Sequence, residues 1–322
     1  MKFLCTLLSV LMLTACAFGA CAEAEPIAFA DAAVEQAIRE ALGVSADAPL
    51  TTDDLAKVVS FDCTSEDVAT LADIAMCVNL ESFILRYENN PRVFSLRPFE
   101  NLTRLQFFRI DGNVLNTAPV AALPELKTMQ IGGRATTLDL SPLAGRTNLD
   151  SFFLTRRALD GNTDFSPLTS HTNLRKATLP KLREGELRPL LESWPNLQYL
   201  CVWGGPITTD DLAALSTRKL EVLSLSPDEP IDDFSPLAEQ KELFRIQAGS
   251  LTDAGLKSLA GSVPGLRKLS FSAEDTTDFT PLLSLEKLEM VYAYGGRLLT
   301  LRETLKDTDV VVSTPATLRN EM

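Results

Sequence analysis

The chain has 322 residues, a formal net charge of −13, and 45% apolar against 23% charged residues. This composition excludes a long disordered chain, and the acidic balance argues against nucleic-acid binding, which calls for a basic surface. A single histidine argues against histidine-based metal sites and Ser-His-Asp catalysis. Leucine occurs 53 times, about one residue in six and well above ordinary usage, so internal repeats are the first feature to look for.

Residues 1–22 are typical of an export signal, with a positive charge at Lys2 followed by an apolar stretch. Leu13-Thr14-Ala15-Cys16 resembles a bacterial lipobox, which implies cleavage before Cys16 and acylation of its thiol as a membrane anchor. Two alternatives stay open: cleavage after Ala20-Cys21-Ala22, which releases the protein, or an uncleaved apolar anchor. All three predict an extracytoplasmic body, which is at the cell surface or in the periplasm if it is anchored and secreted if it is released.

Cys63 and Cys77 lie close enough in sequence to form a disulfide, which an exported protein permits. The alternative is that both are small buried apolar residues. The sequence contains no Cys-x-x-Cys, so we expect neither a zinc ribbon nor a thioredoxin-like site.

Residues 23–57 are predicted to be mainly helical. Asp31 suits a helix N-cap, Val34, Ile38 and Leu42 share one face, and a glycine at position 43 ends the pattern. A second helical turn is predicted to begin at Thr51.

The pattern Leu-x-x-φ-x-φ, with φ apolar, recurs in steps of 21 to 25 residues. Counting a weaker first copy at Val58, there are eleven copies. The ten that begin with leucine start at Leu80, Leu105, Leu126, Leu149, Leu174, Leu197, Leu220, Leu243, Leu266 and Leu288. Ser-Pro-Leu or Thr-Pro-Leu often precedes a copy by seven or eight residues, and a Ser or Thr before proline favours the start of a short helical segment. Each unit is therefore predicted to be a strand, a turn, a helical segment and a turn back.

The two φ positions of each copy fall on one side of a strand, and a single strand cannot bury that side alone. Stacked copies can, with parallel strands about 4.8 Å apart. The pattern resembles the leucine-rich repeat family, and Asp139–Leu149 and Asp164–Leu174 are close to its bacterial internalin-like type. The resemblance implies an α/β leucine-rich repeat solenoid of about 11 repeats, with a curved parallel sheet on the concave face and short helices and turns on the convex face.

The same resemblance makes residues 23–57 the helical cap and residues 58–312 the repeat array, with residues 313–322 as a tail. Val310–Val312 is predicted to form a closing strand after a helix over Leu298–Leu305. The family usually carries asparagine at the ninth repeat position, and here only Asn113 fits. We therefore expect irregular turns. Counterparts at that position are Glu88, Arg134, Arg157, Gly205, Asp228 and Glu274.

In this family the concave face is the usual binding surface, and aromatic and arginine residues are enriched in binding hot spots. The exposed strand positions of this face include Arg245, Lys268 and Met290, in addition to several of the residues predicted below to bind a ligand. An alternative is that single exposed apolar residues have no binding role. The residues predicted to bind a ligand are Tyr87, Phe107, Arg109, Phe153, Arg156, Lys176, Tyr199, Trp203, Tyr292 and Tyr294.

Residues 127–188 hold ten Lys or Arg against six Asp or Glu, a local excess of four positive charges in an acidic chain. This indicates a partner with an acidic surface, attracted through a field that salt weakens. The alternative is an ordinary solvated surface of mixed charge.

Chemical motifs are scarce. Asp160–Asp164 begins like a calcium loop, but Phe165 and His171 stand where glycine and glutamate are required, and His171 is predicted to be solvated. We expect no metal, no cofactor and no enzymatic activity. The sequence predicts an extracytoplasmic scaffold that binds a protein ligand, with glycan or cell-wall binding through exposed aromatic residues as the alternative.

Overall fold

The computed structural model describes residues 26–86, 92–133, 138–146, 148–155 and 163–314. Its strands form a single 12-stranded sheet, in which each strand pairs in parallel with the next one along the chain. The strands are β1 Ser60–Thr64, β2 Ser82–Arg86, β3 Phe107–Ile110, β4 Thr128–Ile131, β5 Ser151–Leu154, β6 Lys176–Lys181, β7 Tyr199–Gly204, β8 Val222–Leu225, β9 Arg245–Ser250, β10 Lys268–Ser272, β11 Met290–Tyr294 and β12 Val311–Ser313.

Short helical segments connect the strands. The α-helices are α1 Ala32–Leu42, α2 Thr52–Leu55, α3 Ala118–Ala121, α4 Leu187–Ser193, α5 Thr209–Ala213, α6 Asp253–Ser262 and α7 Leu298–Leu305. In the other coils a short 3₁₀ helix replaces the α-helix. These 3₁₀ helices are Ala72–Met76, Arg97–Phe99, Ser141–Leu143, Ser166–Ser170, Ser235–Leu237 and Thr280–Ser284. A helical segment is wider than the spacing of about 4.8 Å between strands, so the sheet side is the concave side of the stack.

The repeat positions predicted to be apolar form the core. Phe61, Phe83 and Phe108 stand in register on β1, β2 and β3 and are fully buried. The Phe83 ring stacks on the other two, with ring centroids 5.1 and 5.6 Å away. The leucine-rich repeat solenoid predicted from the sequence is thereby confirmed.

The helical segment before β1 begins and ends as the sequence indicates. The Asp31 carboxylate accepts hydrogen bonds from the first turn of α1, and Gly43 ends the helix with a left-handed backbone, φ 66°. Thr51 and Asp54 form a capping box at the start of α2, because each side chain bonds the other residue's backbone N–H.

Most repeats lack the asparagine that the family usually carries at the ninth position. Two other kinds of contact join successive coils. The asparagine before several leading leucines donates its amide to a carbonyl of the preceding coil, as Asn79 does to Ala56 and Asn148 to Pro124, both at 2.7 Å. At the ninth repeat position, Gly205 has φ 121°, and a Cβ there would stand 2.5 Å from the Leu182 carbonyl oxygen. Glycine thus permits a close backbone contact that no larger residue allows.

The structure corrects the expected solvation of His171, which is fully buried. Its Nε2–H donates to the Leu143 carbonyl at 3.1 Å. The signal was present in the sequence, because the residue three positions before each leading leucine is usually apolar. Buried residues in that column include Leu102, Leu123, Trp194, Val263 and Leu285.

Cys63 on β1 and Cys77 after the first 3₁₀ turn are both buried and free. The structure thus has them as small apolar core residues, and their disulfide is not formed. Burial raises the pKa of the Cys77 thiol to about 12, so the thiol stays protonated at neutral pH.

Candidate binding surface

The concave face is built from two rows of side chains that alternate with the core residues along each strand. Parallel register places equivalent residues side by side from strand to strand. The first row is Ser60, Ser82, Phe107, Thr128, Ser151, Lys176, Tyr199, Val222, Arg245, Lys268, Met290 and Val311. The second row is Asp62, Ile84, Arg109, Gln130, Phe153, Thr178, Cys201, Ser224, Gln247, Ser270, Tyr292 and Ser313.

Aromatic side chains lie at the middle of this face. Phe153 on β5 and Tyr199 on β7 are half-buried, and their rings meet edge to face with centroids 6.4 Å apart across β6. Trp203, at the end of β7, is 51% exposed. Trp203 lies four residues along β7 from Tyr199, and exposed aromatic side chains of this kind are suited to contact with a partner.

The environment of Tyr199 ties it to the neighbouring strands. Burial raises the pKa of its phenol, and a hydrogen bond with Thr178 and the positive charge of Arg245 oppose that rise. Tyr199 is therefore a neutral side chain at physiological pH.

A second aromatic pair lies near the end of the sheet. Tyr292 is half-buried and Tyr294 is 37% exposed, with ring centroids 6.3 Å apart. Phe107, on β3, is half-buried at the opposite part of the face. The predicted aromatic residues that the structure describes are thus on the concave face, but they are spread over β3 to β11 rather than gathered in one cluster.

Charged residues of the face differ in whether they have partners. Arg109 binds Asp111 on its own strand's C-terminal side at 2.7 Å, and Arg86 pairs with Asp62 across β1 and β2. Lys176 is exposed on β6 and forms no ion pair with any residue that the structure describes. It is therefore available to a ligand, whereas Arg109 is engaged.

The basic stretch of residues 127–188 is partly neutralised. Arg175 lies 3.9 Å from Asp150, and Lys181 binds Asp228 at 2.8 Å. Three predicted site residues, Tyr87, Arg156 and the lipidation residue Cys16, lie outside the described residues.

A cavity opens on the concave face at β9, β10 and β11. Its volume is about 150 Å³, and Arg245, Lys268, Ser270, Met290 and Tyr292 line it. Of these, Tyr292 was among the residues predicted to bind a ligand, and Arg245, Lys268 and Met290 were predicted to be exposed strand positions of the same face. Ser270 was not identified, although the repeat alignment places it in the same row as Tyr292.

Within the described part of the chain, no group of three or more histidine, cysteine, aspartate or glutamate side chains is arranged to hold a metal ion. Among the same residues, no helix has both the length and the apolarity needed to cross a membrane.

Comparison with solved structures gives internalins. An internalin, InlF, from Listeria monocytogenes matches with a TM-score of 0.59 and 19% sequence identity, over 88% of this chain and 95% of that one. Internalin C2 from the same species matches at 24% identity over 84% of this chain and 100% of that one, with a TM-score of 0.42. The functional domain of InlJ, also from Listeria monocytogenes, matches at 16% identity over 83% and 74%, with a TM-score of 0.40.

No protein-family model and no curated protein matches the chain. At 19% identity the similarity to the InlF internalin shows the fold alone. The chain has the leucine-rich repeat fold of the internalin type.

Proposed function

We propose that this protein is a non-enzymatic recognition scaffold that binds a protein ligand through its concave face. The observation that carries the proposal is the set of aromatic side chains at the centre of that face, where Phe153 and Tyr199 contact each other and Trp203, four residues along β7 from Tyr199, is half-exposed. Rigid aromatic side chains bury a large area at little cost in conformational entropy, which is why they dominate many protein interfaces.

The charges of the face support the same proposal. Its acidic residue Asp62 is neutralised by Arg86, while Lys176 keeps its charge free of ion pairs with the described residues. A partner with an acidic surface would be attracted by this face although the chain as a whole is acidic.

The test is capture of surface proteins on the immobilised chain, followed by affinity measurement for each captured protein with purified variants. We expect Tyr199→Ala combined with Trp203→Ala to weaken binding at least about tenfold while the variant stays folded at the temperature of the assay. Leu299→Ala is the matched control, because Leu299 is 82% exposed but lies on α7, away from the sheet. Equal binding by the double variant and the wild type would refute the concave face as the binding surface.

The second candidate function is recognition of a glycan or of the cell wall. The exposed rings of Trp203 and Tyr294 favour it, because flat aromatic faces stack on sugar rings. A glycan array separates the two candidates: retention on defined glycans that Trp203→Ala and Tyr294→Ala abolish would support this second function, and an array without signal would exclude it.

We further propose that the scaffold is displayed outside the cytoplasm on a lipid anchor at Cys16. The support is the Leu13-Thr14-Ala15-Cys16 motif at the end of an apolar leader. Release after residue 22 is the alternative, and it leaves the proposed binding surface unchanged.

A further inference from the structure

We propose that the cavity between β9, β10 and β11 is a carboxylate-binding cleft that receives an acidic side chain of the partner, with a neighbouring aromatic side chain of that partner on its apolar wall. The proposal rests on the proposed function, because it assigns one contact of the same concave face. It places the acid-binding site on the last repeats rather than in the basic stretch of residues 127–188.

Two positive charges stand next to each other in this cleft. Arg245 and Lys268 are directly paired in the register of β9 and β10, whose backbones lie about 4.8 Å apart. Both side chains are exposed. Like charges at paired positions destabilise a sheet. An anion bound between Arg245 and Lys268 relieves their repulsion and therefore stabilises the folded protein.

The described residues supply no such anion. Neither Arg245 nor Lys268 forms an ion pair with a carboxylate in that part of the chain. The flanking position just before the strands carries Glu221 and Glu289, and Arg267 already binds Glu289 through both Nε and a terminal nitrogen. Glu221 forms no ion pair with Arg245.

The shape of the cavity fits a side chain rather than a single ion. Its volume of about 150 Å³ far exceeds what one water molecule needs. The guanidinium of Arg245 can bind a carboxylate through two N–H groups, while Lys268 adds a second charge and the Ser270 hydroxyl a further donor.

The opposite wall is apolar. Met290 is 38% exposed, and Tyr292 is half-buried beside it. Met side chains adapt to aromatic surfaces and contact them favourably through sulfur. A residue next to the bound acid in the partner can therefore rest on this wall, which makes the cleft selective for an acidic segment that also contains aromatic residues.

The pairing of β9 with β10 is irregular directly beyond the cleft. Gln247 pairs with Ser270, but the next pair is Ser250 with Ser272, so β9 has an extra residue and forms a bulge. A bulge bends its strand and turns side chains locally, and bulges are over-represented next to functional sites.

The test uses the full chain and a fluorescent peptide of alternating glutamate and tyrosine, with the glutamine–tyrosine peptide as the matched probe. Fluorescence anisotropy should show binding of the glutamate peptide that weakens as salt rises, and no binding of the glutamine peptide. Arg245→Gln and Lys268→Gln should each reduce the affinity about tenfold. Lys257→Gln, at an exposed lysine on α6 rather than on the sheet, should change it less than about twofold.

Urea unfolding of each variant checks that the fold is intact, and both cationic side chains are exposed enough for glutamine to be tolerated. Absence of peptide binding, or an equal loss in Lys257→Gln, would overturn the cleft. The outcome is separable from the scaffold proposal: if the natural partner needs Tyr199 and Trp203 but binds Arg245→Gln normally, the scaffold stands and the cleft does not.

Discussion

Asp31 and Asp73 hold the first helix against the first repeat through reciprocal contacts with each other's backbone segments. The Asp31 carboxylate accepts from the N–H groups of Ala69 and Thr70 at 2.6 and 2.9 Å, as well as from the first turn of α1. The Asp73 carboxylate accepts from the N–H groups of Ala30 and Asp31 at 3.0 Å. Both carboxylates are buried, so each replaces water for donors that would otherwise be unsatisfied.

We predict that Asp31→Ala lowers the free energy of unfolding by about 2–4 kcal/mol. The loss combines a helix N-cap, worth about 1 kcal/mol, with charged hydrogen bonds to two further N–H groups, worth more than neutral ones. Urea unfolding gives the change, and hydrogen exchange should show faster exchange in α1. Asp47→Asn is the control, since Asp47 is exposed, and it should change stability by less than about 0.5 kcal/mol.

The same carboxylate makes the cap sensitive to acid. Burial raises the pKa of Asp31, but the hydrogen bonds from Thr70, Ala69, Val34 and Ala33 outweigh burial, so the pKa is lower than its ordinary value of 3.8. The unfolded state therefore binds the proton more readily. The stabilisation is complete above pH 3.8 and is lost as the pH falls through the folded-state pKa. Asp31→Ala should show a weaker acid destabilisation than the wild type; equal slopes would contradict the assignment.

A second pH effect is predicted at His171. Its side chain becomes positively charged when it binds a proton, and it does so at a higher pH than the Asp31 carboxylate. Burial lowers the pKa of this imidazole, although the hydrogen bond to Leu143 raises it. Its Nδ1 has no hydrogen-bond partner among the described residues. The folded state thus favours the neutral ring, and stability should fall as the pH drops below 6.5, by at most about 1.4 kcal/mol per pH unit.

His171→Leu tests this directly, because three other repeats carry a buried leucine in the same column, at Leu102, Leu123 and Leu285. The chain has no other histidine, so the variant should lose the dependence of the urea midpoint on pH between about 5 and 7. A dependence that persists in His171→Leu would show that other groups cause it.

Gly205 and Gly261 test whether a glycine is required by its backbone conformation or merely tolerated. Gly205→Ala should destabilise the protein by about 2–3 kcal/mol, because its φ of 121° strains any other residue and its new Cβ would meet the Leu182 carbonyl. Gly261→Ala should stabilise it by about 0.5–1 kcal/mol, since this glycine lies inside α6 with nothing within 4 Å of a Cβ. Thermal unfolding of both variants decides, and a loss of similar size in the two would remove the special role of Gly205.

The sequence predicts the architecture well because the same pattern recurs many times, so the secondary structure that is ambiguous in one copy is settled by aligning all of them. Any one copy, such as the six residues from Leu80, is too short to define a strand, but eleven aligned copies specify register and core together. The solvation expected for His171 is wrong because a loop position alone favours the surface, whereas this residue lies in a column of core positions. Its column in the repeats, mostly buried and apolar, would have placed it correctly.

The binding surface was less predictable, because alternation tells which residues face solvent but not which charges are already paired. Arg109 and Lys176 occupy comparable solvent-facing positions, yet Arg109 is engaged by Asp111 and Lys176 is not. The cavity beside Arg245 depends on side-chain conformations of three neighbouring strands, which no one-dimensional pattern records.

The last prediction concerns the amino-terminal motif. If Cys16 carries acyl chains, the mature protein should fractionate with membranes and partition into detergent, because two or more chains anchor a protein stably where one binds marginally. Cys16→Ser should move it to the soluble fraction, and mass spectrometry of the wild-type amino-terminal peptide should show the added lipid. Cys21→Ser is the matched control, since it removes a nearby thiol without altering the motif. Membrane retention of Cys16→Ser would refute the lipid anchor and favour the uncleaved apolar leader, whereas wild-type protein found free in the medium would favour cleavage after residue 22.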